Sequence, residues 1–191
     1  AVAYEYGNLG LTKSLTKANE LYALAAEKGD AVARKNLGNI YKRGQGVDIN
    51  YNRCLELHEQ SAKQGNVDAQ HDLSILYEYG SEDNENGNPM TIPANHQLHF
   101  KWALAAAKQN HIEGQRHVGI CFEEGKGCPK GVLSALSWYR KAAQQGDQDA
   151  IDADARLTTV FIQYINETRA QVPLAAGLQV PGFAVLYDLH T

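Results

Sequence analysis

Apolar residues recur along this chain at helical spacing, in stretches that can be laid over one another. Ala33, Leu37, Ile40 and Tyr41 fall at i, i+4, i+7 and i+8, the pattern of one face of an amphipathic helix. Ala69, Leu73, Leu76 and Tyr77 repeat it, and Gly114, Val118, Cys121 and Phe122 repeat it again. A small residue sits at one register within each stretch, at Gly38, Ser74 and Gly119. Glycine inside a helix costs about 1 kcal/mol relative to alanine, so its reuse there predicts close approach of a paired helix. Gly44 and Gly46, then Gly125 and Gly127, stop the first helix and supply turn geometry. A second helix follows, through Leu21, Ala25 and Ala26, then Leu57, Ser61 and Ala62, Trp102, Ala106 and Ala107, and Trp138, Ala142 and Ala143.

The closing turns set the period. Gly29-Asp30, Gly65-Asn66, Asn110-His111 and Gly146-Asp147 correspond, at intervals of 36, 45 and 36 residues. A fixed period in this range predicts a stack of helical hairpins, each too small to bury its apolar face alone. The expected architecture is all-α, a right-handed α-α superhelix (solenoid) of about four helix-turn-helix repeats with a C-terminal capping helix. The units fall at 1–30 (partial), 31–66, 67–110 and 111–147. Residues 81–93 are an acidic, Gly- and Pro-containing insert without apolar periodicity, read as a solvated loop. Residues 148–171 form the capping helix, with Leu157, Val160, Phe161, Tyr164 and Ile165 on one face. The tail from 172 to 191 is apolar, but Pro173, Gly177, Pro181 and Gly182 keep it from being one helix.

Composition narrows the function. The net charge of −4 and the scattered Lys and Arg residues lack the basic stripe of a nucleic-acid footprint. No apolar run is long enough to span a bilayer. No cationic start followed by an apolar stretch reads as a leader, and Ala1-Val2-Ala3-Tyr4 begins inside a repeat, as in a trimmed or processed chain. Three cysteines are present. Cys121 and Cys128 are close enough in sequence for a disulfide, but no unit repeats the pair, which favours reduced thiols.

The combined pattern resembles the Sel-one-like repeat family, a relative of the tetratricopeptide repeats. The fourth unit carries it nearly whole: Val118-Gly119, Phe122, Gly125-Lys126-Gly127, then Trp138-Tyr139-Arg140-Lys141-Ala142-Ala143-Gln144-Gln145-Gly146-Asp147. The resemblance covers residues 1 to about 150. It implies a non-catalytic adaptor or scaffold for a protein or peptide partner, with the first helix of each unit lining a concave groove. Its partner-facing positions carry over to Lys35, Asn39, Lys42 and Arg43 in the second unit. In the third they are Asp68, His71, Ile75, Glu78 and Tyr79, and in the fourth Glu113, Arg116, Ile120, Glu123 and Glu124. Lys35 and Asn39 match half of the carboxylate clamp of chaperone-binding tetratricopeptide domains, but Asp72 and Glu113 stand where neutral or basic residues are wanted. Some cysteine-rich family members are linked to β-lactam binding or hydrolysis. This chain lacks their regular cysteine pairs, so that reading comes second. Self-association through the 172–191 tail is a third.

Other chemistry is not specified. His96 and His99 are three apart on a helix, but no set of four ligands accompanies them, so no metal or cofactor is expected. Read from Asp83 as a calcium loop, the acidic insert places Gly87 at the fifth position instead of the sixth. Ala94 then stands where the bidentate Glu belongs. Asn166-Glu167-Thr168 fits a glycosylation sequon on an expected helix. No nucleophile elbow or phosphate-binding glycine element is present, so no catalytic residue is assigned.

Overall fold

A computed structural model describes residues 1–8, 10, 12–80 and 92–171, with side chains to residue 169. Among these the chain is helical, without strands. The helices are α1 (Val2–Tyr6), α2 (Leu15–Glu27), α3 (Ala31–Arg43), α4 (Tyr51–Lys63), α5 (Val67–Tyr79), α6 (His96–Lys108), α7 (Ile112–Glu124), α8 (Val132–Ala143) and α9 (Gln148–Gln171). From α1 to α8 each helix packs on the next, the succession of a solenoid. By internal packing the chain divides into Ala1–Leu157 and Thr158–Thr191.

Local chemistry sets the helix ends. Gly29, Gly65 and Gly146 turn left-handed, with φ of 93°, 90° and 89°, before α3, α5 and α9. Asn110 takes the same conformation before α7 at φ 67°, tolerated because asparagine is among the few residues that visit this region. The next residue then caps the helix. Asp30, Asn66, His111 and Asp147 accept side-chain hydrogen bonds from the amides of Ala33, Ala69, Gly114 and Ala150. These bonds satisfy donors that a helix N-terminus otherwise leaves open. Each second helix is tied back in one way. The amides of Ser14, Asn50, Asn95 and Gly131 donate to the carbonyls of Tyr4, Tyr41, Tyr77 and Phe122 at 2.8, 3.0, 2.7 and 2.8 Å.

The expected close approaches are present. A Cβ on Gly119 would meet the Tyr139 ring at 2.6 Å, and one on Gly38 would overlap His58. His58 and Tyr139 occupy one register of the second helices, shared with Tyr22 and Ala103. Where that register holds the small Ala103, the facing first helix holds Ser74 in place of glycine, so bulk on one helix trades against bulk on the other.

Two expectations need correction. The insert is not solvated throughout: Ile92 is 5% exposed and joins the core of Leu73, Leu76, Tyr77 and Trp102. Proline-flanked and isolated, it showed no period that would mark it as apolar packing. The capping face is shorter than expected. Ala150 and Leu157 pack with Ala135, Leu136, Tyr139 and Ala142, but Val160 and Tyr164 are exposed. In the repeats each first helix packs against the helix that follows it, and among the described residues none follows α9. The tail assigned to self-association, and residues 81–91 of the insert, lie outside the described residues.

Candidate functional site

The first helices α3, α5 and α7 carry the residues expected to face a partner. Lys35, His71 and Arg116 share one register, and the array already uses two of them. Lys35 Nζ lies 3.4 Å from Asp68 on the next first helix. Arg116 reaches Asp147 at 3.2 Å and Asp149 at 3.6 Å, at the start of α9. Glu123 is bound by Arg156 at 2.7 Å and accepts from the Tyr139 hydroxyl at 2.7 Å. Glu124 pairs with Lys126 at 2.6 Å. These contacts are between neighbouring turns and neighbouring first helices, so much of the charge on this face is neutralised internally.

Other members of the set remain available. Tyr79 is 69% exposed. Lys42 and Arg43, in the last turn of α3, make no ion pair among the described residues, and Asn39 and Ile75 are half-buried. Arg116, Ile120, Glu123 and Glu124 converge on a cleft of about 220 Å³ completed by Tyr139, Asp149, Ala153 and Arg156. Glu78 behaves differently. Its side chain is 10% exposed and turns toward the interior, so it does not present its charge on this face.

A second feature, illegible in the sequence, runs inside the stack. At each junction a polar side chain of a second helix meets its own first helix or the next one. Tyr22 donates to Glu5, and Tyr139 donates to Glu123, both at 2.7 Å. Burial and the adjoining carboxylate push both phenols well above the ordinary tyrosine range. In the second repeat His58, fully buried, meets Asp72 of α5 at 3.2 Å, and its Nδ1 lies 2.9 Å from the Cys54 carbonyl oxygen. Burial opposes the charged imidazole, but the bonds to Asp72 and Cys54 outweigh it and raise the pKa to about 9. Burial likewise opposes the Asp72 carboxylate, yet His58, with help from Lys35 and His71, holds it below the ordinary range.

Cys54 lies beside His58, with Sγ 3.5 Å from Nδ1, but the pair is not an activated nucleophile. The sulfur is completely buried, and an imidazole held protonated by Asp72 cannot act as base. All three cysteines are free. Burial pushes the Cys121 thiol up to about 12 and also raises Cys128, so both stay protonated at neutral pH.

In the third repeat the junction holds histidines. His99 is 1% exposed, and His96, on the same helix, is exposed, so the two do not converge. Instead His99 meets His117 of α7, with ring centroids 5.7 Å apart, and Glu78 lies 3.5 Å from Nδ1 of His117. His71 and His111 extend the cluster, at 5.6 Å from His117 and 4.6 Å from His71 respectively. Burial, reinforced by the neighbouring histidines and Arg116, depresses His117 to about 3. Burial and His111 also lower His71. One ligating atom each from Glu78, His99 and His117 lies within 4.8 Å of the others, close enough for the three to be candidate ligands of one metal ion. These residues are 21 and 18 positions apart, so no local spacing announces them.

Stacked two-helix units joined by Gly-rich turns, with buried polar junctions, define an α-solenoid of helix-turn-helix repeats. The chain belongs to the Sel1 repeat family, which it matches at residues 1–30, 31–66, 67–111 and 112–147. It is 31% identical over 137 residues to the chitin synthase regulator SKT5 of Saccharomyces cerevisiae, covering 71% of this chain and 18% of that protein. It is 28% identical over 148 residues to the DAP3-binding cell death enhancer 1 of Rattus norvegicus, covering 78% of this chain and 26% of that one. The chain thus spans about a quarter or less of these curated relatives. Among solved structures, a Sel1 repeat protein from Oxalobacter formigenes superposes with a TM-score of 0.69 at 26% identity, over 81% of this chain and 59% of that one. A protective antigen of uropathogenic Escherichia coli matches with a TM-score of 0.67 at 28% identity, over 85% and 32%.

Proposed function

We propose that this chain is a non-catalytic docking module that binds an extended peptide or protein segment along the first-helix face of its repeats, serving as an adaptor or regulator. Membership of the Sel1 repeat family supports an interaction role, as do relatives named as a chitin synthase regulator and a DAP3-binding factor. One observation carries the choice of surface. Lys35, Arg116 and Glu123 are neutralised within the array, whereas Lys42, Arg43 and the exposed Tyr79 are left uncommitted on successive first helices. Such a face suits a segment with acidic residues opposite Lys42 and Arg43 and an apolar or aromatic side chain opposite Tyr79. Aromatic anchors within a ring of modest contacts carry most binding energy at such surfaces.

The test is a charge reversal. Lys42→Glu with Arg43→Glu changes one half-buried and one exposed side chain in the last turn of α3, neither of them among the buried residues of that helix. Proteins captured by the native chain are identified by mass spectrometry, and the affinity of a purified partner is measured for both forms. The double variant should fold normally by circular dichroism and bind about 10-fold or more weakly, on the order of 1.4 kcal/mol. An unchanged affinity removes this face as the docking surface.

A further inference from the structure

The third junction departs from the pattern set by the first and fourth. There Tyr22 and Tyr139 satisfy the carboxylates of Glu5 and Glu123. Glu78 sits at the register of Glu123, but Ala103 replaces the tyrosine, so the phenol that would donate to it is missing. Its Oε2 is buried with no hydrogen-bond partner, and so is Nδ1 of His117. His99 enters the same space from one turn earlier on α6, at a register that holds Ala18, Cys54 or Ala135 in the other repeats. An unsatisfied buried polar atom costs about 1–3 kcal/mol and a charged one more, so two facing each other call for a bridging group.

We propose that Glu78, His99 and His117 form a binding site for a divalent transition-metal ion of the zinc class. Two imidazoles and one carboxylate are a three-residue donor set that Zn²⁺ accepts, with water completing a tetrahedron. Calcium and magnesium prefer oxygen ligands throughout, and the donor set holds no cysteine of the kind softer ions select. The nitrogen chemistry fits. Nδ1 of His99 donates to the Ser74 carbonyl at 2.9 Å, which leaves Nε2 as the nitrogen free to face a ligand, and such backbone bonds commonly orient metal-ligating histidines. His71, whose Nε2 is also buried and unpartnered, stands beside His117. The three ligands come from α5, α6 and α7, so a bound ion ties both helices of the third repeat to the first helix of the fourth.

The metal-stripped chain, residues 1–191, is titrated with Zn²⁺ alone by calorimetry, and with Co²⁺ alone by visible absorption. One equivalent should bind, Co²⁺ should give the intense bands of tetrahedral coordination, and Zn²⁺ should raise Tm. Glu78→Gln and His117→Gln should each weaken affinity by about 100-fold or more, at or beyond the top of the range seen when a mere outer-shell partner is lost. His96→Gln, an exposed histidine on the same helix, should bind like the native chain. Failure of the native chain to take up either ion, or an octahedral Co²⁺ spectrum, overturns the site without recourse to any variant. Equal weakening by His96→Gln would assign the binding to surface histidines and overturn it as well.

Discussion

Gly119 shows how much of this fold is decided at single positions. The Tyr139 ring occupies the space its side chain would need, and that ring cannot swing away, since it is 2% exposed and its hydroxyl is held by Glu123. Gly119→Ala gains about 1 kcal/mol of helix propensity but overpacks the contact, at a cost typically about 1–3 kcal/mol. A net loss of stability is expected, read as a lower Tm by differential scanning calorimetry, and a Tm equal to the native value would refute the packing role. This register was legible in the sequence because a mid-helix glycine is unfavourable unless something requires it. The contents of the facing register were not. That register holds tyrosine at Tyr22 and Tyr139, histidine at His58 and alanine at Ala103, and only the packed structure shows how His58 and Tyr139 fill the space left by the glycines opposite them.

At the scale of the element, each junction has its own electrostatics. The His58–Asp72 pair links α4 to α5. His58 has an ordinary value of 6.5 and about 9 in the fold, so its contribution is full below 6.5 and is lost as pH rises through 9. The Asp72 carboxylate is depressed, so its contribution is present above its ordinary 3.8 and lost as pH falls through the folded value. Urea melts should therefore show the native chain losing stability between pH 7 and about 9.5. Asp72→Asn should cost about 2 kcal/mol near neutrality, within the range for hydrogen bonds to charged groups, and should flatten that alkaline slope. An unchanged slope in the variant would show that the imidazole is not charged in the fold. Helix boundaries were readable beforehand from Gly-Asp and Gly-Asn turns because capping is local chemistry. The junctions join residues of different helices, within one repeat or between two, and neither spacing nor composition displays such pairs.

Across the whole molecule, period and turn residues were enough to foresee an all-α stack, since repetition leaves each hairpin only its neighbours for burial. The proposed interaction face was less legible. First-helix positions were found by register, yet register cannot say that Lys35 and Arg116 spend their charge on Asp68, Asp147 and Asp149, or that Glu78 turns inward.

The bond from Asn95 to the Tyr77 carbonyl returns the third repeat to the frame of the others after a connection nine residues longer. Stacking is thus insulated from the length of what precedes that knot. Replacing residues 81–91 with a glycine-serine segment of twice the length should lower stability by only about 0.6 kcal/mol, the slow logarithmic cost of closing a larger ring, as chemical denaturation can verify. The knot makes this turn a graft point, where foreign sequence can be carried by the array while its neighbours stay in step.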